Sequence, residues 1–221
     1  MSFFKQLARE ILKSGSPLAS YEPVTSYRFS DQFCKASISV IEKCRSDKIG
    51  EYFSNGSDYR VFYINDFLAS ESELSTVIKD IIPTGWFVGP ILGAHLKATK
   101  NSLGSGEGWH RDSWFGQKKL MIYLTDVGLE NGPFQYVPKS SHIFNKLKSL
   151  LKGEQDRLRN QDIDAENVVS VTGKLGTSCI FDGTMVHRGK PPTSGERYAL
   201  TVYLYSGSYR QKDIEKYFGQ R

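Results

Sequence analysis

The chain has 221 residues, a length that suits one domain with a sizeable hydrophobic core. Hydrophobic residues make up 39% and charged residues 24% of the chain, as in ordinary folded globular proteins, and no window approaches the roughly 18 apolar residues of a membrane span. The net charge of +5 is spread along the sequence without a basic run, so we predict no nucleic-acid partner.

The three cysteines are Cys34, Cys44 and Cys179. An odd count without C-x-x-C spacing argues against a disulfide scaffold and against a thiolate zinc site. The first ten residues carry charges too early for a signal-peptide core. We therefore expect a cytoplasmic protein. The oligomeric state is left open.

Residues 1–85 are predicted to form a helical N-terminal portion. Helical spacing of apolar residues predicts an amphipathic helix over 3–13 that packs on the domain. Ser30 is expected to cap a second helix, and Ser70-Glu71-Ser72-Glu73 is a capping-box pattern that predicts a third, which Pro83 ends. The buried stripe of the second helix is predicted to contain Phe33, Cys34, Ile38, Ile41 and Cys44.

After Pro83, short apolar runs alternate with glycine-containing turns, which predicts a sandwich or barrel of β-strands over 86–207. The runs are GWFVGPILGAHLKATK, KKLMIYLTDV, GPFQYVP, NVVSVTG, GTSCIFDG and RYALTVYLYSG. Residues 143–166 interrupt them and are predicted to form a lid or substrate-shaping wall, with an inert surface insertion as the alternative. Residues 208–221 are expected to be a C-terminal tail of a single domain over 1–221.

A candidate metal site begins at His110 and Asp112, which are separated by one residue. On a strand, side chains at i and i+2 point to the same face, so both can reach one ion. Chance often produces H-x-D, and a third ligand should lie on another strand. His187 is the candidate. Two imidazoles and one carboxylate form the facial triad of non-haem Fe(II) oxygenases, which leaves three positions for O₂ and a chelating cosubstrate. The alternative is a pair of structural histidines in turns.

The cosubstrate 2-oxoglutarate binds such a metal through its 1-carboxylate and 2-oxo oxygens, and its far carboxylate then needs a fixed cation. Arginine suits that carboxylate because it is permanently charged and geometrically matched to it. Arg197 lies ten residues beyond His187, across the turn GKPPTSGE, and can point inward with Ala199 and Thr201 on the same strand face. The alternative is a surface salt-bridge partner.

These motifs resemble the phytanoyl-CoA dioxygenase-like (PhyH) family of Fe(II)/2-oxoglutarate-dependent oxygenases. The matching residues are WHRD, FDGTMVHRG and the arginine in ERYALTVYLYS, together with LTDVGLENGPFQYVPKSSH, and the resemblance covers residues 86–207. The corner Pro138 to His142 is one residue longer than the P-G-S-H-like corner of the family.

The resemblance implies a mainly β fold with flanking helices: a double-stranded β-helix (a cupin-like jelly roll) with N-terminal helices packed on one sheet. It also implies oxidation of an unactivated C–H bond of a small organic substrate, usually hydroxylation, with decarboxylation of 2-oxoglutarate to succinate. Halogenating relatives replace the metal-binding carboxylate with a small residue, so Asp112 points to hydroxylation.

Further candidates flank the ligands. Trp109 and Trp114 either wall the substrate cavity or serve the core. His142 either lines the pocket or has a capping role. Tyr123 is a candidate donor to 2-oxoglutarate, and Thr99 lies on a strand expected to border the pocket.

Two rival functions remain open. One is a cupin-like metalloenzyme, such as an isomerase, that does not use 2-oxoglutarate. The other is a non-catalytic binding module on the same fold. Binding and turnover of 2-oxoglutarate separate the first rival from the oxygenase, and a metal titration separates the second.

Overall fold

A computed structural model describes residues 4, 7–8, 22–25, 27–54, 59–99, 104–152, 158 and 163–219. Most of the helix predicted over 3–13 lies outside the described residues, as does part of the 143–166 insertion.

Five helices and nine strands have bounds within this described part, and Phe4, Leu7 and Ala8 are also helical. The helices are α1 (Asp31–Asp47), α2 (Asp66–Ser70), α3 (Ser72–Ile81), α4 (Ile143–Leu151) and α5 (Gln211–Gly219), with one 3-10 turn at Ala165–Asn167. The strands are β1 (Glu51–Ser54), β2 (Tyr59–Tyr63), β3 (Phe87–Lys97), β4 (Gln117–Tyr123), β5 (Phe134–Tyr136), β6 (Val169–Val171), β7 (Ser178–Asp182), β8 (His187–Gly189) and β9 (Glu196–Tyr205).

The strands form two antiparallel sheets. The large sheet has the order β1-β2-β3-β9-β4-β7, and the small sheet has the order β6-β5-β8. Met121, Tyr123 and Phe181 from the inner face of the large sheet share one buried cluster with Phe134 of the small sheet. Two sheets that enclose a common core in this way make a double-stranded β-helix, and the predicted fold class is confirmed.

Helices cover the outer face of the large sheet, as predicted. The Ser30 hydroxyl accepts a bond from the Phe33 amide at 3.1 Å and so caps α1. Phe33 and Ile41 are buried against the sheet. Gly93 on β3 is required there, because a Cβ atom at this position would overlap the side chain of Ile41. The inner face of the sheet is thereby left for the site.

The predicted capping box at Ser70 is wrong. Ser70 ends the short helix α2, and its hydroxyl donates to the Phe67 carbonyl at 3.0 Å. The carboxylate of Glu73 instead accepts from the amide and hydroxyl of Ser30, at 2.8 and 2.7 Å. The Glu73 carboxylate therefore makes a tertiary contact with the start of α1, whereas the local sequence pattern predicted that it would cap α3.

The prediction that 1–85 is helical is also incomplete, because β1 and β2 extend the large sheet from residues 51–63. The expected C-terminal tail contains the helix α5. Phe218 is 8% exposed, and its ring centroid lies 5.5 Å from that of Tyr52. Its carbonyl accepts a hydrogen bond from the Tyr63 hydroxyl. The strands β1 and β2, at one edge of the large sheet, and the helix α5 thus bury their apolar side chains against each other.

Two general features of the chain bear on its setting. Cys34, Cys44 and Cys179 are all free thiols in the structure. Among the described helices, none combines the length and the apolar character needed to cross a bilayer.

A buried histidine lies on the outer face of the large sheet. His95 is 4% exposed, its ring stacks on Tyr198 at 4.0 Å between centroids, and its Nε2 atom lies 2.9 Å from a carboxylate oxygen of Glu196. Burial lowers the pKa of His95 below its usual 6.5, although Glu196 acts in the opposite direction.

We expect this histidine to make stability depend on pH. Below pH 6.5 the unfolded chain takes up a proton at residue 95 that the folded chain resists, so folding stability falls as the pH drops through that value. His95→Gln removes this proton uptake. Urea unfolding between pH 7.5 and 5 should give a shallower loss of stability for the variant. Equal slopes would contradict the assignment.

Candidate active site

The backbone brings the three candidate metal ligands together. His110 and His187 exchange backbone hydrogen bonds of 3.0 and 2.9 Å, and the Asp112 amide donates to the Gly183 carbonyl at 2.9 Å. As a result, one nitrogen or oxygen atom from each of the three side chains lies within 4.8 Å of the others. His110 forms an isolated bridge and Asp112 lies in a bend, so the predicted strand is shorter than expected, yet both side chains converge as predicted.

Hydrogen bonds orient both imidazole rings. The Nδ1 atom of His110 lies 2.8 Å from the Gly108 carbonyl, and that of His187 lies 2.9 Å from the Met185 carbonyl. A carbonyl only accepts, so each Nδ1 carries a proton, and in a neutral ring the lone pair is then on Nε2. The Nε2 atoms are the ones that face Asp112, at 3.7 Å from Oδ1 for His110 and 3.2 Å from Oδ2 for His187. This is the arrangement that metal-binding histidines use.

The charges of the site suit a cation ligand set. Burial, reinforced by His187, lowers the pKa of His110 to about 3, so its imidazole is neutral near pH 7. Burial alone would raise the pKa of Asp112, but the Lys119 ammonium and His187 hold it well below its usual range. The donor atoms that converge here are the Nε2 atoms of His110 and His187 and the ionised carboxylate of Asp112, which is the donor set that divalent iron takes in non-haem oxygenases. Within the described residues, these three form the sole cluster of this kind.

A glycine allows the His110 ring to occupy its position. Gly106 has φ of +78°, and an added Cβ would fall inside van der Waals contact of the imidazole Cε1. The next residue of this loop toward the N-terminus, Ser105, accepts a hydrogen bond from Arg197. The loop before His110 therefore joins the metal ligands to the predicted cosubstrate anchor.

Arg197 points inward from β9, as predicted. It is 3% exposed, its guanidinium donates to the Gly132 carbonyl and, at 2.8 Å, to the Ser105 hydroxyl, and its Nε has no acceptor among the described residues. Burial lowers the pKa of Arg197, while Tyr123 and Tyr59 act against that shift. No described carboxylate pairs with this buried cation, and a bound carboxylate would supply the missing charge.

A second phenol lies beside this cation. Tyr59 on β2 is in register with Leu96 on β3, which is in turn in register with Arg197, so all three side chains share the inner face. Burial raises the pKa of Tyr59, and Arg197 and Lys119 are close enough to oppose that rise. The phenol keeps its proton near pH 7 and can donate a hydrogen bond to an anion. Sequence reasoning missed Tyr59, because β2 was not predicted.

The other two cosubstrate candidates are placed less favourably. The Tyr123 hydroxyl donates to the Val171 carbonyl at 2.7 Å and accepts from the Phe134 amide at 2.9 Å. Its single proton is therefore used to tie the two sheets together, and this geometry does not support donation to 2-oxoglutarate. Thr99 is exposed and lies beyond the end of β3.

The three substrate-pocket candidates serve other contacts. Trp109 is buried under Arg188, whose guanidinium carbon lies 4.4 Å from the ring centroid. Trp114 packs with Ile143 and other apolar residues of α4. His142 caps α4 by accepting from the Phe144 amide at 3.4 Å. These contacts are those of core packing and capping, and a substrate-pocket role for the three residues stays a prediction.

Two cations that the sequence did not single out support the ligand segment. Arg111, between the ligands, turns away from them and donates to the carbonyls of Ser140 and Thr184 at 2.8 and 2.7 Å. Lys119 lies on the opposite side, with its Nζ 2.8 Å from Asp112 Oδ2. Strand alternation could have indicated from the sequence that Lys119 points inward, since Lys119, Met121 and Tyr123 must share one face of β4.

The model of the phytanoyl-CoA dioxygenase (PhyH) family matches residues 62–199, which include all three ligands and Arg197. The chain belongs to this family. No curated protein sequence matches the chain significantly. The family match extends upstream of residue 86, where the sequence resemblance began, and so takes in the helices α2 and α3.

Solved structures share the fold at low sequence identity. AviO1 from Streptomyces viridochromogenes Tue57 is 16% identical with a TM-score of 0.60, and the match covers 95% of this chain and 98% of that one. HygX from Streptomyces hygroscopicus, solved with nickel and 2-oxoglutarate bound, is 15% identical with a TM-score of 0.58 and coverages of 94% and 88%. SnoN, a non-haem α-ketoglutarate-dependent epimerase from nogalamycin biosynthesis, is 15% identical with a TM-score of 0.62 and coverages of 90% and 84%.

The glycine beside His110 gives a direct test of the metal site. Gly106→Ala should push the imidazole aside and weaken binding of Ni(II), measured by calorimetry, by about ten- to hundredfold, the usual cost of disturbing the support of a metal ligand. Gly85→Ala is the matched control, because Gly85 has the same φ of +78° but no atom within 4 Å of the added Cβ. If both variants lose affinity equally, backbone strain rather than the His110 contact is responsible.

Proposed function

We propose that this protein is an Fe(II)/2-oxoglutarate-dependent oxygenase that hydroxylates an unactivated C–H bond of a small organic substrate. Family membership supports the oxygenase class. The observation that carries the cosubstrate is the pairing of a two-histidine, one-carboxylate cluster with the buried Arg197, which has an unused Nε and no described carboxylate partner. HygX, of the same fold, holds 2-oxoglutarate together with nickel.

Each residue has a distinct task in this proposal. His110, Asp112 and His187 hold the metal through two Nε2 atoms and one carboxylate. Arg197 binds the far carboxylate of 2-oxoglutarate, and Tyr59 adds a neutral donor beside it. The iron, when bound, supplies the activation of O₂ that splits the molecule between two products.

The overall reaction balances without a further reductant. One oxygen atom of O₂ enters the substrate C–H bond to give an alcohol, and the other enters the succinate that forms as 2-oxoglutarate loses CO₂. The two electrons needed beyond those of the C–H bond come from the oxidation of 2-oxoglutarate. The protein contributes by holding the reacting groups together and by keeping the site dry.

The reaction outcome is the finer part of the proposal. Asp112 occupies the position of the carboxylate that halogenating relatives lack, and this favours hydroxylation. The fold also hosts an epimerase, SnoN. Product analysis separates the two, because a hydroxylase adds 16 mass units to its substrate and an epimerase adds none.

Several attributes of the protein remain predictions. We expect a small-molecule substrate, no nucleic-acid partner and a cytoplasmic location, the last because all three thiols are free. The segment 143–166 contributes α4, whose inner side packs on Trp114 and Phe115. We propose that it forms one wall of the substrate entrance.

Succinate release tests the proposed function. Protein loaded with Fe(II) under anaerobic conditions is exposed to O₂ and 2-oxoglutarate with a library of metabolites, and substrate-stimulated succinate is measured. Asp112→Ala should lose most of this turnover while its circular dichroism stays unchanged, because one of three ligands is gone. Asp213→Ala, at a surface ion pair with Arg210, is the control. Turnover of Asp112→Ala near the wild-type rate would refute the ligand assignment.

Arg197→Ala tests the cosubstrate anchor separately. The variant loses a charge-assisted contact with a carboxylate, so the dissociation constant for 2-oxoglutarate should rise by about ten- to hundredfold while Ni(II) binding stays near the wild-type value. Calorimetric titration of the Ni(II)-loaded protein gives both constants. Arg210→Ala, an exposed arginine, should change neither. An unchanged affinity for 2-oxoglutarate would point to a different anchor for its far carboxylate.

A further inference from the structure

Lys119 is a buried lysine that contacts a metal-ligand carboxylate. Its side chain is 7% exposed, and its Nζ lies 2.8 Å from Asp112 Oδ2. Lysine is almost never buried without a compensating partner. This one therefore has a specific reason to lie on the inner face of β4, one residue from the outward-facing Lys118.

Aromatic rings hold the lysine in place. Lys119 is in register with Tyr203 on β9 and with Phe181 on β7, so the three side chains form one row across the inner face. The ammonium lies 4.3 Å from the Tyr203 ring centroid and 6.0 Å from that of Phe181. Such cation–π contacts stabilise the ammonium and restrict where it can point.

The two oxygens of Asp112 have different surroundings. Oδ2 lies 2.8 Å from the Lys119 Nζ atom and 3.2 Å from the His187 Nε2 atom, while Oδ1 lies 3.7 Å from the His110 Nε2 atom and has no contact with the lysine in the described residues. A carboxylate can bind a metal through one oxygen or chelate it through both. An ammonium fixed on one oxygen by neighbouring rings disfavours chelation, since the metal would have to displace it.

We propose that Lys119 is a positioning residue that restricts Asp112 to coordination through one oxygen. The inference rests on the proposed function, because the coordination position kept open in this way is one that 2-oxoglutarate and O₂ need. Two imidazoles and one carboxylate oxygen leave three positions, whereas a chelating carboxylate leaves two. Two positions are too few for a chelating cosubstrate and O₂ together.

This role carries a cost for the metal. A positive charge beside the site repels a divalent cation, so the resting protein binds its metal less tightly than the three ligands alone would. The same charge favours the dianionic cosubstrate. Removal of Lys119 is therefore expected to change the two affinities in opposite directions.

Calorimetry with Ni(II) and then 2-oxoglutarate measures both steps without turnover. Lys119→Met should bind Ni(II) at least about tenfold more tightly, because the repelling charge is lost. The Ni(II)-loaded variant should bind 2-oxoglutarate about tenfold more weakly. Lys119→Arg keeps a charged donor and should remain near wild type. Lys118→Met is the matched control, since Lys118 lies on the other face with its ammonium 5.5 Å from the Trp86 ring centroid.

Crystal structures of the Ni(II)-loaded proteins separate carboxylate positioning from charge alone. Wild type should show one Asp112 oxygen on the metal and the other on Lys119, and Lys119→Met should show both oxygens on the metal. Single-oxygen binding in Lys119→Met would overturn the inference even if both affinities shift. If no neutral variant folds, the wild-type structure decides, because loss of the contact between Lys119 and Asp112 on metal loading would also overturn it.

The failure of this inference is distinguishable from that of the proposed function. Wild-type protein that binds Ni(II) and 2-oxoglutarate, with Lys119→Met behaving identically, refutes only the role of Lys119. Wild-type protein that binds neither refutes both.

Discussion

The double backbone hydrogen bond between His110 and His187 is the contact on which the site depends. These residues are far apart in the sequence, and their bridge lies at the β8 edge of the small sheet. The bond between Asp112 and Gly183 then fixes the carboxylate beside the two rings. Because backbone hydrogen bonds set these positions, the three side chains need only the correct rotamers and tautomers for their donor atoms to lie around one ion.

Buried charge is arranged in two places around that bridge. Lys119 neutralises Asp112 on one side, and Arg197 on the other side has no described carboxylate partner. Leaving a cation buried in this way is unfavourable for the free protein, and a carboxylate ligand removes that cost when it binds. In the proposed function, this unpaired cation favours an anionic cosubstrate.

The two faces of the large sheet carry different sets of polar residues. The outer face of the large sheet packs against α1 and α3, and its polar residues, such as His95, are satisfied within that interface. The inner face carries Tyr59, Lys119 and Arg197. Strand alternation makes this division possible, because neighbouring residues such as Lys118 and Lys119 are sent to opposite environments.

The sequence by itself determined the fold class, the α1 cap at Ser30, the convergence of His110, Asp112 and His187, and the inward direction of Arg197. These depend on local periodicity, short spacings and side-chain chemistry, which a linear pattern contains. Only the tertiary structure decided which partners Trp109 and Trp114 contact. From the sequence, each could equally line a pocket or pack in the core.

Tertiary contacts also decided the hydrogen-bond partners of Glu73 and Tyr123. Glu73 was predicted to cap its own helix but accepts a hydrogen bond from Ser30 at the start of α1, and the Tyr123 hydroxyl donates to the Val171 carbonyl. The pairing of Lys119 with Asp112 is of the same kind, because it joins β4 to a loop outside the sheet. Each of these partners is chosen by proximity in space, and proximity between distant segments exists only once the sheets have closed.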